Sequence, residues 1–99
     1  MKKFFYGKTQ ITDDRERAFD VSYYIVEDSG KDIYGISVEK VWEGSNVIEI
    51  EEIQKVSYSL EKMQRIAGML LKHQVTPVSL IESVDNILGM EEWDDRSKL

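Results

Sequence analysis

Ile33-Tyr34-Gly35-Ile36-Ser37-Val38-Glu39-Lys40-Val41-Trp42 sets Tyr34, Ile36, Val38 and Trp42 on one side of an extended chain, and Gly35, Ser37, Glu39 and Val41 on the other. Successive strand residues point to opposite faces, so this alternation marks a half-buried antiparallel strand. Just before it, Asp28-Ser29-Gly30-Lys31 is a turn signal, and before that Phe19 to Glu27 is rich in tyrosine, valine and isoleucine. Two such runs joined by a short turn read as a hairpin. In the earlier run both faces are apolar, with Val21, Tyr23 and Ile25 on one and Tyr24 and Val26 on the other. A strand of that kind is covered on both sides or central in its sheet.

Working outward, Glu43-Gly44-Ser45-Asn46 is a second turn and Val47 to Val56 a third strand. Its pattern puts Ile48 and Ile50 inward and Glu49 and Glu51 outward, but Ile53 is out of step with Ile50. A β-bulge near Glu51-Glu52, or a strand break, reconciles the two phases. On the other side, the three consecutive aromatics in Lys2–Tyr6 suit a short strand. Residues 7–18 are polar, with Thr12-Asp13-Asp14 as a turn signal, and read as a loop or arm.

Beyond Ser57 the period changes. Ser59 suits an N-cap, Glu61 complements the helix dipole, and Leu60, Met63, Ile66, Ala67, Leu70 and Leu71 form one helical stripe. Gly68 within it points to a close approach to the sheet. Thr76-Pro77 ends this helix and starts another, with Thr76 as its N-cap, because proline drives the preceding residue out of the α region and suits the first helical position. Leu80, Ile81, Val84, Ile87 and Leu88 line the second helix, which Gly89 closes. The reading is therefore a single α+β domain: an antiparallel β-meander of three to four strands followed by two C-terminal helices packed on one face of the sheet. Its parts are a short strand plus polar arm over 1–18, the meander over 19–57, helices over 59–74 and 76–89, and a loosely ordered acidic tail over 90–99.

Composition narrows the function. The 99 residues are 41% hydrophobic and 32% charged, within the globular range. The absence of cysteine excludes disulfides, thiolate catalysis and zinc held by sulfur. The basic opening is followed by only three aromatics before Gly7, too few for a secretory core, and Ile66–Leu71 is far short of a bilayer span. A soluble, cytoplasmic protein is expected. The net charge of −6 is uneven. Residues 1–18 carry +2, residues 19–57 carry −6 and residues 58–99 carry −2. An acidic meander repels phosphate backbones, which disfavours direct nucleic-acid binding.

No catalytic set converges. His73 is the only histidine; at a helix end it complements the dipole. Glu49 and Glu51, with Glu52 beside them, lie in a strand rather than in the glycine- and asparagine-rich loop that a hard cation favours. They read as a solvated acidic face able to dock a basic protein. Tyr23, Tyr24, Tyr34, Trp42 and Tyr58 read as core aromatics, with one or two left exposed for an interface. The glycines show no phosphate-cradling spacing, and the methionines suit gap-filling in a core.

Tyr34-Gly35-Ile36, the helix Leu60–Lys72 and Val75-Thr76-Pro77-Val78-Ser79-Leu80 together resemble a family of roughly 100-residue proteins of uncharacterised function from clostridia and related Gram-positive bacteria. The resemblance covers residues 20–90. It implies a cytoplasmic bacterial origin and no chemistry.

The sequence thus points to a non-enzymatic protein-interaction or regulatory module using an acidic, aromatic-bearing sheet face, with Glu49, Glu51, Glu52, Tyr24 and Trp42 as its interaction residues. A basic protein is the expected partner. A homodimer is the other arrangement that an uncovered apolar face invites. The alternative is a phage or mobile-element inhibitor, anti-CRISPR-like or a DNA mimic, of a nucleic-acid-binding enzyme; a small metal-dependent enzyme ranks third. No cofactor, metal, catalytic residue, nucleic acid or membrane is called for.

Overall fold

A computed structural model describes the backbone at residues 2–28, 30–46 and 48–97, and the side chains of those stretches as far as Met90. Four strands, β1 (Lys2–Thr12), β2 (Ala18–Asp28), β3 (Ile33–Trp42) and β4 (Ile48–Ser57), form one antiparallel sheet in sequence order. Helix α1 (Leu60–Lys72) follows, then a single 3-10 turn at Pro77–Ser79 that leads into α2 (Leu80–Ser97). The expected α+β meander with two C-terminal helices is the architecture observed.

The core lies between the sheet and the helices. Val21, Tyr23 and Ile25 of β2 and Ile36 and Val38 of β3 meet Met63, Ile66, Ala67 and Leu70 of α1, and Leu80, Val84 and Ile87 of α2 complete the cluster. Burying each large apolar side chain stabilises the fold by about 1.5–3 kcal/mol. Ser59 caps α1, its hydroxyl accepting from the Lys62 N–H at 3.1 Å. Gly68 does mark a close approach, to the Tyr6 hydroxyl, which would stand 3.0 Å from a Cβ there. Between the helices, the Tyr23 hydroxyl donates to the Val75 carbonyl at 2.7 Å and ties the hinge to the central strand.

Four local expectations are corrected. Residues 7–12, expected as part of a polar arm, belong to β1 and pair with β2 from Gly7↔Tyr23 to Thr12↔Ala18. Thr9 and Ile11 there face the helices while Lys8 and Gln10 face away, a strand pattern masked by its polar residues. Only the turn remains at 13–17, where the Asp13 carboxylate accepts from the N–H groups of Arg15 and Arg17 at 2.9 and 2.8 Å.

The phase of β4 is the reverse of that expected. Ile36 is opposite Ile53, Val38 opposite Glu51 and Lys40 opposite Glu49, so Glu49, Glu51 and Ile53 share the face that carries the helices. Ile48, Ile50 and Glu52 point the other way. The irregularity also lies later than Glu51-Glu52. Tyr34 is opposite Ser57, so two steps of β3 match four of β4, and Lys55 inside this bulge has φ +60°. Val47, expected to open the strand, lies outside the described residues.

Thr76 is extended as proline demands, but its hydroxyl makes no capping bond; its carbonyl accepts from the Ser79 N–H at 3.0 Å instead. Finally, α2 does not close at Gly89. A glycine costs about 1 kcal/mol within a helix, and the strong helix formers Met90, Glu91 and Glu92 carry the backbone on to Ser97. The tail expected over 90–99 is helical as far as Ser97, and residues 98 and 99 lie outside the described residues.

Candidate functional site

The helices cover one face of the sheet and leave the other open. Register places on the open face Lys3, Phe5, Lys8 and Gln10 from β1, Asp20, Ser22, Tyr24 and Val26 from β2, Gly35, Ser37, Glu39 and Val41 from β3, and Ile48, Ile50 and Glu52 from β4. The Phe5–Gly7 irregularity in β1 keeps Phe5 on this side while Gly7 turns toward α1.

The open face divides into two zones. At the end holding Val26, Ile33 and Gly35, the bulge of β4 folds over the sheet. Gln54 and Lys55 line a small recess with those residues, and the Ile53 carbonyl lies against Gly35. Val26 and Ile33 are buried there. At the other end no described residue covers the strands. Phe5 is 60% exposed, Ile48 54% and Ile50 55%, all on extended backbone.

Between the zones sits a fixed polar and aromatic cluster. Lys3 reaches across β2 to Glu39, Nζ to Oε1 at 2.6 Å, with its ammonium 4.3 Å from the centre of the Tyr24 ring. Phe5 meets the same ring edge-on at 5.7 Å. Ser37, flanked by Tyr24 and Glu52 in the register, is fully buried with its hydroxyl unpaired.

The expected interaction residues are therefore divided. Tyr24 and Glu52 lie on the open face. Glu49, Glu51 and Trp42 lie on the face carrying the helices, where Trp42 packs against the core and Glu51 stands opposite the buried Val38. There Lys40 stands 4.6 Å from the Trp42 ring centre, 4.4 Å from that of Phe19 and 3.8 Å from a Glu49 oxygen. Arg17 stacks on Trp42 at 5.0 Å and binds Asp13 at 3.1 Å. The Asp13 carboxyl is held below its usual range, first by the Arg17 backbone N–H, then by that of Arg15 and by the Arg17 charge. Trp42 also lines an open cleft of about 580 Å³ with Glu16, Arg17, Ala18, Glu43 and Ser45. The acidic, aromatic-bearing face read from sequence is thus two surfaces. Reading β4 in the wrong phase had merged them.

The residues that the sequence reading missed are Phe5, Lys8, Ile48 and Ile50. The pairing of β1 with a strand apolar on both faces was the available signal for the first two. His73 is exposed at the end of α1, where its backbone N–H donates to the Met69 carbonyl at 3.0 Å. Among the described residues no group of three or more histidine or acidic side chains is placed to hold a metal ion. Among the described residues no helix is long and apolar enough to cross a membrane.

A family model described as a family of unknown function, DUF6514, matches residues 2–90, and the chain belongs to that family. The match begins at β1, so the strand that the sequence reading cut short is part of the family's domain. No curated protein and no solved structure matches the chain.

Proposed function

We propose that this chain is a protein-interaction module, not an enzyme, and that it binds through the uncovered end of its open sheet face. The observation that carries the reading is the outward set of Phe5, Ile48 and Ile50, each more than half exposed on extended strands. With Tyr24 and Val41 they share the uncovered face with Lys8, Asp20, Glu39 and Glu52, a mixture of apolar and charged side chains that suits a docking site. Covering the apolar part of that face contributes roughly 25 cal/mol per Å². Both signs of charge are present on it, Lys3 and Lys8 on β1 against Asp20, Glu39 and Glu52 on the other three strands. That mixture suits a protein surface better than a uniformly charged polymer. Tyr24 and Glu52 keep the role given to them from sequence, while Glu49, Glu51 and Trp42 face away from this surface.

A photo-crosslinking side chain at position 50, in cells that make the protein, tests the reading, with position 78 on the helical side as control. Val78 is 92% exposed, so simple exposure cannot distinguish the two positions in favour of 50. Discrete protein adducts from position 50 but not from 78 are expected. Equal labelling at both, or none at 50, refutes the proposal.

A further inference from the structure

We infer that the occupant of this face is a second copy of the chain, packed sheet on sheet across a two-fold axis that runs along the strands. The inference rests on the interaction surface proposed above and names its partner.

Charge is the ground for it. The open face is polarised across the sheet: β1 contributes only the positive groups Lys3 and Lys8, while β2, β3 and β4 contribute Asp20, Glu39 and Glu52. A two-fold axis along the strands inverts left and right, so β1 of each copy lies over β4 of the other. Lys8 of one copy then comes down beside Ile50 and Glu52 of its partner, and the same contact repeats once by symmetry. The same operation lays β2 over β3 and sets Asp20 beside Glu39 of the second copy, an acidic approach that the Lys3–Glu39 ion pair offsets. The reversed phase of β4 sends Glu49 and Glu51 to the far side, so much of the meander's acidity is kept out of the contact.

Area sets the strength of the contact. The uncovered zone extends from Phe5 to Thr12 along β1 and narrows to Ile48–Glu52 on β4. At about 3.3 Å per residue and 4.8 Å per strand it offers roughly 400 Å² on each copy. Two copies together bury about 800 Å², short of the roughly 1,000 Å² of a stable specific interface. Sheets stack about 10 Å apart, and the axis lays Phe5 against Glu52 and Ile50 against Lys8 of the second copy. An interface this small makes a weak, concentration-dependent dimer.

Sedimentation of the full chain over a dilution series reads the dimer directly, with Lys8→Glu and Glu52→Lys as paired variants. Both positions are exposed, so each variant keeps its thermal midpoint. The unaltered protein is expected to approach twice its monomer mass as concentration rises. Each variant alone sets like charges against each other twice and weakens the dimer about tenfold or more. An equimolar mixture of the two restores it, because the mixed dimer regains both opposite-charge contacts. A protein that stays monomeric throughout overturns the inference. If position 50 still crosslinks to a different protein, the interaction surface survives with another occupant; if it does not, both readings fall. A dimer indifferent to both variants, or one that the mixture does not restore, uses another surface and also overturns the inference.

Discussion

Gly35→Ala is the sharpest stability test of this fold, because the space its Cβ needs is already taken by backbone. A Cβ built on Gly35 would overlap the Ile53 carbonyl oxygen and stand 2.9 Å from the Gln54 Cα and 3.1 Å from the Ile53 carbonyl carbon. None of these atoms has a rotamer to retreat into. The contact exists because β4 carries two extra residues opposite Tyr34–Ile36, and the excess folds over Gly35. Accommodating one methyl therefore means prising β3 from β4 beside the core residue Ile36. Forced overpacking costs about 1–3 kcal/mol where side chains can adjust, and the rigid surroundings place this substitution at about 3 kcal/mol or more. For a domain of this size each kcal/mol lowers the midpoint by about 4–8 °C, so a fall of at least about 12 °C is expected. Thermal and urea unfolding followed by circular dichroism measure it. Gly30→Ala is the control, since nothing lies within 4 Å of its Cβ position. A Gly35→Ala midpoint equal to that of the control would refute the packing described for the bulge.

Three further substitutions have outcomes fixed by local geometry. Gln74, just past the end of α1, has φ +53°, and Gln74→Gly should stabilise the protein by about 0.5–1 kcal/mol in urea unfolding, since a left-handed backbone costs a side chain more than that. The exposed 3.2 Å bond from Gln74 to the Thr9 hydroxyl is lost in exchange and offsets part of the gain. Gly89→Ala, in open space within α2, should add about 1 kcal/mol to stability, and a loss instead would mean that the helix does not pass through that position. Tyr23→Phe removes the bond to the Val75 carbonyl and should cost about 1–2 kcal/mol at neutral pH. The Tyr23 hydroxyl is pushed up to about 12 by burial. Below its ordinary value of 10.0 both folded and unfolded chains hold the proton. Between 10 and 12 only the unfolded chain releases it, so stability falls by up to roughly 3 kcal/mol through that window. The phenylalanine variant should lack this part of the alkaline loss, and identical alkaline profiles for the two proteins would contradict the burial of the hydroxyl.

The sequence was most legible where one period ran uninterrupted against a covered surface. β3 and α1 each bury one continuous face, and Ile36, Val38, Met63, Ile66 and Leu70 fall where the spacing puts them. The second half of β1 was not legible. Lys8, Gln10 and Thr12 carry no apolar signal of their own, and their strand character comes from the bonds that β2 offers at its free edge. Of the candidate surface, Tyr24 was correctly set on the face opposite Val21 and Tyr23. The isoleucines of β4 were assigned to the wrong side because apolar residues were assumed to point inward.

That error has a physical source that bears on function. Once Ile36 is opposite Ile53, the twofold period of the strand fixes Glu49 and Glu51 on the helix side and Ile48 and Ile50 on the open side. The opposite phase would turn Ile53 out of the core. It would also bring Ile48 and Ile50, in place of Glu49 and Glu51, to the side of Lys40 and Trp42. In the phase observed, Ile53 packs against the core and stands opposite the fully buried Ile36. The fold keeps its core and leaves Ile48 and Ile50 beside Val41 with no layer of its own to cover them. The phase of β4 thus creates the surface that a second sheet can bury.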